Sequence, residues 1–266
     1  MTRRATSVLL CRCAKRELLP PQTLEGIAHV LSERGDAICV DDLCGLAARG
    51  DGFLAEIADA DRLTVIACHD RAVKWLLAAA GIELLPQALE VLDMRSLSSS
   101  EILARLGNET DTSPSAVWEE PPTDDGWVPW FPVIDRERCT NCKQCLSFCL
   151  FGVYRLGEDG SVAVVNPRAC KTNCPACARI CPQVAIIFPK YSDGPISGAA
   201  VSDEDREKER VAVDVAALLG DDAYVALAQR RRRARGKLLK MRTEARMLAE
   251  REQAACAAND EASGAP

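Results

Sequence analysis

Two short cysteine runs, "CTNCKQCLSFC" at residues 139–149 and "CKTNCPACARICP" at residues 170–182, hold eight of the 14 cysteines of the chain. The first run has the spacing C-x2-C-x2-C-x3-C, and the second has one extra residue between its first two cysteines. Clusters this tight suit metal ligation in a reducing compartment better than the disulfide framework of a secreted protein. The two runs therefore predict metal sites, and the fold around them depends on which metal they bind.

Thiolates are soft ligands that select zinc, copper(I) or iron-sulfur clusters. Structural zinc commonly takes two C-x-x-C pairs that are separated by a longer loop. Each run here instead has three cysteines within seven or eight residues and a fourth after three more. Three closely spaced thiolates can bind three irons of one cubane while the fourth cysteine points toward the opposite half-module, as in two-cluster ferredoxins. The spacing favours iron-sulfur clusters, with zinc as the alternative.

Residues 133–188 resemble the bacterial ferredoxin domain that holds two 4Fe-4S clusters. The resemblance implies that one cluster is held by Cys139, Cys142, Cys145 and Cys181. It implies that the other cluster is held by Cys170, Cys174, Cys177 and Cys149. Pro182 follows the second run as in that family, whereas Leu150 stands where the first run would have the corresponding proline. We expect residues 171–173 to bulge outward and to change the hydrogen bonding of the cluster.

From residue 7 to about residue 106, short apolar runs alternate with helical ones, which is the pattern of β-α-β units around a parallel sheet. Strands are predicted in "SVLLCRC", "DAICVDDLC" and "RLTVIAC", and helices in "TLEGIAHVLSERG", "GFLAEIADA" and "DRAVKWLLAAAGI". The segment "SSSEILARLG" closes the domain as a capped helix, because Ser98 and Glu101 have capping-box spacing. We therefore predict an α/β domain over residues 1–106.

Five further cysteines lie in this first domain: Cys11, Cys13, Cys39, Cys44 and Cys68. Sites are usually built where the ends of parallel strands lie side by side at one edge of a sheet. All of these cysteines except Cys39 fall near such an end. A buried cysteine is often simply a small hydrophobic residue, and the residues alone leave that alternative open.

The segments "VLLCRCAKREL", "CVDDLCG" and "VIACHDRAVKWLLAAAGI" resemble the amino-terminal region of HdrA, the flavin-binding subunit of heterodisulfide reductase, over roughly the first 95 residues. The resemblance implies a third 4Fe-4S cluster on Cys11, Cys13, Cys44 and Cys68, with Cys39 as a spare cysteine. Ala14 replaces a glycine of that family's pattern, and we expect no flavin-binding domain after residue 106. The string "GDGFLA" does not directly follow a strand, so no flavin or NAD is expected.

The rest of the chain divides by composition. Residues 107–132 are rich in Pro, Asp and Thr and are predicted as a linker. The ferredoxin module is predicted over residues 133–191, with two short strands around a turn at "GEDG" between its cysteine runs. A hinge over residues 192–202 and a charged helical tail over residues 203–266 follow. The predicted fold is an α/β domain with a parallel sheet, an α+β ferredoxin-like two-cluster module and a C-terminal helical extension.

The net charge of −6 argues against a chain that coats nucleic acid, so redox proteins are the expected partners. No run approaches the roughly 18 apolar residues of a membrane span. The start "MTRRATSVLLCRC" is predicted as a buried strand rather than a signal peptide. We therefore expect a soluble cytoplasmic protein.

Together these patterns predict an electron-transfer protein that relays single electrons through two 4Fe-4S clusters, or three with the N-terminal cysteines. The resemblances imply a subunit or partner of a heterodisulfide-reductase-like or hydrogenase-linked complex rather than a stand-alone enzyme. One alternative is a reductase whose N-terminal cysteine cluster acts directly on a substrate such as a disulfide, and another is a structural or nucleic-acid-binding zinc protein. His69 is expected either to act at a cluster or to start a helix. No P-loop, catalytic triad or paired-carboxylate motif is found, so no catalytic residue is predicted.

Overall fold

The computed structural model describes residues 4–16, 18–19, 21–34, 37–50, 52–58, 60–82, 85–106 and 126–219. The predicted linker is described only from residue 126, and the predicted tail only as far as residue 219. The described residues as far as Asp214 belong to one compact unit. None of the helices in the described ranges has the length and apolar character needed to cross a membrane.

The N-terminal half is built on a parallel sheet of four strands: Arg4–Cys11 (β1), Ala37–Val40 (β2), Ala60–Ala67 (β3) and Leu89–Asp93 (β4). The strand order is β2-β1-β3-β4, and Val8 of β1 lies opposite both Ala37 and Thr64. Leu9 and Val65 in the two central strands are fully buried, as parallel strands between helical layers require. The predicted α/β architecture with a parallel sheet is confirmed.

Helices cover both faces of this sheet: Pro21–Arg34 (α1), Leu43–Arg49 (α2), Gly52–Ala58 (α3), Asp70–Ala79 (α4) and Ser99–Leu106 (α5). One face packs against α1 and α5, and the other packs against α2, α3 and α4. The predicted capping box is present at the start of α5. The Ser98 N–H donates to Glu101 Oε2 at 2.8 Å, and the Glu101 N–H donates to Ser98 Oγ at 3.4 Å.

Strand β4 is present in the structure but was not predicted from the sequence. It is an edge strand in which Leu92 alone among its residues is buried. Glu90 and Asp93 interrupt the apolar alternation that identifies a strand in sequence. Because β4 runs parallel to β3, its carboxyl end lies at the same sheet edge as the ends of the other strands.

The second half contains short elements: Val133–Ile134 (β5), Gln144–Phe148 (α6), Tyr154–Leu156 (β6), Val162–Val164 (β7), Ala176–Arg179 (α7) and Ile186–Ile187 (β8). Strands β5 and β8 pair antiparallel, and so do β6 and β7. The turn predicted at "GEDG" joins β6 to β7, and the Gly157 N–H donates to the Ser161 carbonyl at 2.8 Å. One short helix lies within each cysteine run, so two half-modules are observed.

The sequence predicts a hinge over residues 192–202, but the structure has a packed segment there. Two further helices begin in or after it: Gly194–Ser197 (α8) and Glu204–Leu219 (α9). Ile196 is buried, and its carbonyl accepts the Phe188 N–H at 2.7 Å. The small residues that indicate flexibility in sequence serve close packing here, because Gly198 lies directly against Ala72 of α4.

We expect Gly198→Ala to destabilise the folded chain by about 2–4 kcal/mol. Gly198 has φ +104°, which side-chain-bearing residues rarely adopt, and an added Cβ would lie 2.5 Å from the Cβ of Ala72. Gly194→Ala is the matched control, because Gly194 has φ +70° but no atom within 4 Å of an added Cβ. Thermal unfolding should show the larger loss for Gly198→Ala, and equal losses would contradict the role given to the Ala72 contact.

Apolar and polar contacts join the two halves. Phe131 and Val133 of the second half belong to the same buried core as helices α2 and α4. Arg71 of α4 donates from Nε to Asp135 Oδ2 at 2.6 Å and from Nη1 to the Pro195 carbonyl at 3.0 Å. The cysteines of both halves are therefore held in one packed unit.

Candidate metal centres

The first set of cysteines is Cys139, Cys142, Cys145 and Cys181, and all of them line one small pocket. Cys145 lies on α6 and Cys181 follows α7, so the last cysteine of the second run faces the first three cysteines of the first run. Burial and then the nearby thiol of Cys181 raise the pKa of Cys145 to about 12. The structure thus brings together the cysteines that the ferredoxin resemblance assigns to one cluster, and their binding of iron stays a prediction.

Asn141 shapes the loop between Cys139 and Cys142. Its backbone has φ +54°, in the left-handed region where asparagine is enriched among non-glycine residues. Its Nδ2 donates to the Gly160 carbonyl at 3.0 Å, and its Oδ1 accepts the Val162 N–H at 3.1 Å. The loop that carries the first two cysteines is therefore tied to the turn between β6 and β7.

The second set combines the last cysteine of the first run with three cysteines of the other run: Cys149, Cys170, Cys174 and Cys177. Burial, followed by the nearby Cys174 and Cys149, raises the pKa of Cys170 to about 12. Cys149 ends α6, where its N–H donates to the Cys145 carbonyl at 3.0 Å. The chain bends at the exposed Leu150 without the proline of the ferredoxin pattern. The last cysteine of each run thus belongs to the set whose other three cysteines come from the other run.

A turn absorbs the extra residue of the second run. The Cys174 N–H donates to the Lys171 carbonyl at 3.1 Å, and residues 171–173 are exposed. Asn173 has φ +63°, and it immediately precedes its cysteine just as Asn141 does in the first run. The predicted outward bulge is present, and it leaves Cys174 beside the rest of its set.

Hydrogen-bond donors reach sulfur in both of these sets. The buried Tyr154 of β6 donates from its hydroxyl to Cys177 Sγ at 3.1 Å, and the Ala185 N–H donates to Cys181 Sγ at 3.3 Å. Burial raises the pKa of both thiols, whereas these donors lower it because a hydrogen bond to sulfur favours the thiolate. Hydrogen bonds to sulfur are one means by which a protein sets the potential of an iron-sulfur cluster.

We predict that the second set binds a 4Fe-4S cluster, and we expect Tyr154→Phe to make the midpoint potential of this predicted cluster more negative, by about 30–60 mV. The hydroxyl stabilises negative charge on the sulfur of Cys177. Its loss should destabilise the reduced cluster more than the oxidised cluster, because the reduced cluster carries more negative charge. Tyr191→Phe is the matched control, because the Tyr191 hydroxyl contacts Arg179 at 3.5 Å. A redox titration followed by electron paramagnetic resonance measures both variants. An unchanged midpoint in Tyr154→Phe, or an equal shift in the control, would contradict this role of the hydroxyl.

The third set gathers at the carboxyl edge of the parallel sheet: Cys11, Cys13, Cys44 and Cys68. Cys11 is the last residue of β1, and Cys68 directly follows β3. Burial and then the nearby Cys13 raise the pKa of Cys68 to about 12, and Cys44 lies near both of these thiols. Cys39 instead lies in the core on the opposite face of the sheet. The structure thus separates the spare cysteine from the group that the resemblance implies.

Lys190 is a residue at the third set that sequence reasoning missed. It is 1% exposed, and its Nζ donates to Asp42 Oδ2 at 2.5 Å and to Cys13 Sγ at 3.5 Å. Burial alone would lower the pKa of Lys190, but the nearby Cys44 and Asp42 outweigh burial and raise it. Its place in the apolar segment "AIIFPKY" is a signal that could have found it, since lysine is almost never fully buried unless it is paired.

His69 contacts Asp93 at the same sheet edge. Its Nδ1 lies 2.8 Å from Asp93 Oδ2, and it makes no side-chain capping bond to α4. Although burial raises the pKa of Asp93, hydrogen bonds from His69 and Ser96 outweigh burial and hold that pKa below its usual range. His69 therefore ties the loop that follows Cys68 to the end of β4.

The arrangement of thiols differs from a site for one ion. Within the ranges that the structure describes, no three His, Cys, Asp or Glu side chains lie close enough together to hold a single metal ion. A cubane takes one thiolate on each of its irons, so thiols that surround a pocket without converging are compatible with it. The donors are soft thiols, and the sulfurs of Cys177 and Cys181 accept hydrogen bonds. The first set, which lines a pocket, therefore fits a 4Fe-4S cluster in arrangement and in donor type, and the second and third sets fit one in donor type.

Residues 131–182 match the family model described as a 4Fe-4S dicluster domain. The chain is similar to an uncharacterised ferredoxin of Methanocaldococcus jannaschii, with 49% identity over 63 residues, which are 23% of this chain and 42% of that protein. It is also similar to NADH-dependent phenylglyoxylate dehydrogenase subunit delta of Aromatoleum evansii, with 32% identity over 81 residues, which are 30% of this chain and 84% of that subunit. The chain thus spans less than half the length of the first relative. The predicted ferredoxin domain is confirmed, and the likeness to heterodisulfide reductase stays a prediction.

Proposed function

The chain belongs to the family of NADH-dependent phenylglyoxylate dehydrogenase subunit delta and contains a 4Fe-4S dicluster ferredoxin domain, and from this premise we propose that it relays single electrons within a redox complex. The observation that supports this proposal most is the exchange of Cys149 and Cys181 between the two cysteine runs. That exchange is the ligation pattern of two-cluster ferredoxins.

We propose that the first set holds one 4Fe-4S cluster and the second set holds another. When bound, each cluster supplies one-electron storage at a potential that its surroundings set. The protein's own residues bury Cys177 and Cys181 away from water and donate hydrogen bonds to their sulfurs. Cys145 and Cys149 stand one helical turn apart in sequence yet belong to different sets, which keeps the two sets adjacent.

We propose that the third set holds a further 4Fe-4S cluster, as the resemblance to HdrA implies. The second set adjoins the boundary between the two halves, because Cys170 packs against the buried core that Phe131 and Val133 share with helices α2 and α4. Arg16 also donates from Nη1 to Asn173 Oδ1 at 2.8 Å beside the second set. Cys142 of the first set is exposed. The proposed order is therefore third, second and first set, with the first set facing the surface at Cys142.

We propose that redox proteins serve as donor and acceptor and that this chain is one component of a larger complex rather than a stand-alone enzyme. The relative from Aromatoleum evansii is named as a subunit of an NADH-dependent dehydrogenase, which supports such a role. The likeness of the N-terminal half to HdrA supports a heterodisulfide-reductase-like or hydrogenase-linked complex as the setting.

The alternative is a reductase whose N-terminal cysteine cluster acts directly on a substrate such as a disulfide, with the ferredoxin module as its electron supply. A substrate must reach the cysteines of such a cluster. Cys11 and Cys44 are buried, and Cys13 and Cys68 are partly buried. This burial favours electron relay over direct action on a substrate.

A reductive titration tests the proposed relay. Protein purified without oxygen is titrated with dithionite, and the electrons taken up per chain are counted from the loss of visible absorption. We expect about three electrons per chain, one for each cluster. An uptake of about two electrons would confine the relay to the ferredoxin domain, and no uptake would contradict electron transfer by this chain.

A further inference from the structure

Lys190 belongs to the second half of the chain, yet its side chain ends among the cysteines of the first half. It follows β8 and is 1% exposed. Its Nζ lies 3.5 Å from Cys13 Sγ and 2.5 Å from Asp42 Oδ2. The second half of the chain thus supplies an ammonium group to a site whose cysteines all come from the α/β half.

The position of this ammonium is not explained by an ion pair alone. Burial of an ammonium is unfavourable unless its partners compensate, and Asp42 is one such partner. Asp42 also caps α2, where its Oδ1 accepts the Gly45 N–H at 3.0 Å. A pair with Asp42 does not require the lysine to lie beside sulfur, and the contact with Cys13 is a separate feature of the site.

Lys190 lies beside the third set through Cys13 and through Asp42. Its Nζ is 3.5 Å from Cys13 Sγ. Its partner Asp42 is the N-cap of α2, the helix that carries Cys44, and the next N–H along the chain, that of Leu43, donates to Cys11 Sγ at 3.4 Å. The guanidinium of Arg95 instead donates to the carbonyls of Tyr191 and Ser192.

We propose that Lys190 sets the reduction potential of the cluster held by the third set, and that this site is complete only when the two halves of the chain are packed together. The inference rests on the proposed third cluster. Reduction transfers one electron from an external donor to the site, with no bond made or broken at Lys190. Because the added negative charge lies near the ammonium, Lys190 favours the reduced state.

Two substitutions test the proposal, one that removes a positive charge and one that removes a negative charge. Both are made in the full chain, which is loaded with clusters and kept without oxygen. Lys190→Met removes the positive charge and should make reduction of this cluster about tenfold less favourable, a shift of about 59 mV to more negative potential. Asp42→Asn removes the compensating negative charge and should shift the same midpoint to more positive potential. Asparagine still caps a helix, and its amide oxygen can still accept a hydrogen bond from the buried ammonium, so Asp42→Asn tests the proposal if Lys190→Met does not fold.

The signal of the third set is identified as the one that Cys68→Ala abolishes in electron paramagnetic resonance. Lys74→Met is the matched control, because Lys74 also pairs across the two halves, with Glu137 at 2.6 Å, and both side chains are substantially exposed. This control should leave all midpoints unchanged. The midpoints of the first and second sets should stay unchanged in the Lys190 and Asp42 variants.

Midpoint shifts of opposite sign in the Lys190 and Asp42 variants, confined to the signal of the third set, would support the proposal. No shift, shifts of the same sign, or an equal shift in Lys74→Met would overturn it while the electron relay stands. A wild-type chain with about eight irons would overturn both this inference and the third cluster. The relay through the ferredoxin domain would then remain, so the two failures are distinguishable.

Discussion

Cys149→Ala is expected to abolish the same cluster as Cys170→Ala, although Cys149 belongs to the other cysteine run. Each variant should lose about four irons per chain, because a cubane takes four cysteine ligands. The double variant should lose no more iron than either single variant, since the two residues act in one site. The physical reason is that Cys149 lies beside Cys170 and Cys174 at the end of α6.

Iron and acid-labile sulfide analysis, with electron paramagnetic resonance after reduction, measures this effect. Cys145→Ala is the comparison, because it should abolish the other cluster and add its loss to that of Cys149→Ala. Cys39→Ala is the control, since Cys39 is buried on the opposite face of the sheet and should leave the iron content unchanged. If the Cys149 and Cys145 variants lost the same signal, each run would hold its own cluster and the proposed exchange would be wrong.

Arg71→Met is expected to destabilise the folded chain by about 3–5 kcal/mol, because it leaves a buried carboxylate without its partner. Asp135 is 3% exposed and accepts from Arg71 Nε at 2.6 Å. The same guanidinium donates to the carbonyls of Val184 and Pro195. Those carbonyls also lose a donor in the variant, which adds to the loss of stability.

Thermal unfolding of the cluster-loaded chain measures the effect of Arg71→Met. Lys74→Met serves as the control here too, because the exposed pair of Lys74 and Glu137 should contribute less than about 1 kcal/mol. We expect a drop of several degrees for the Arg71 variant and almost none for the control. Equal unfolding temperatures for the Arg71 and Lys74 variants would contradict the view that Arg71 holds the two halves together.

Local patterns predicted much of the fold. The β-α-β alternation identified the parallel sheet, and the spacing of Ser98 and Glu101 identified the start of α5. Strand β4 was missed because its edge position leaves it half exposed, with Glu90 among its residues. Helix α8 was missed because the small residues around Gly198 indicate flexibility in sequence but pack closely against α4 in the structure.

The candidate sites likewise contain some features that the sequence indicated and others that it did not. The order and spacing of the cysteines indicated iron-sulfur sites, and the resemblances to the two-cluster ferredoxin domain and to HdrA implied which thiols the structure would bring together. The contact of Lys190 with Asp42 spans 148 residues, and no local pattern links the two. The contact of Arg71 with Asp135 spans 64 residues and likewise depends on how the two halves pack. Long-range contacts of this kind require the folded structure.

The most direct test of the iron-sulfur function is the content of iron, acid-labile sulfide and zinc per chain in protein purified without oxygen. We expect about twelve irons with equal sulfide, and visible absorption that bleaches with dithionite. About eight irons would confine the function to the ferredoxin domain and make the third set structural. Zinc without sulfide would contradict the electron-transfer function.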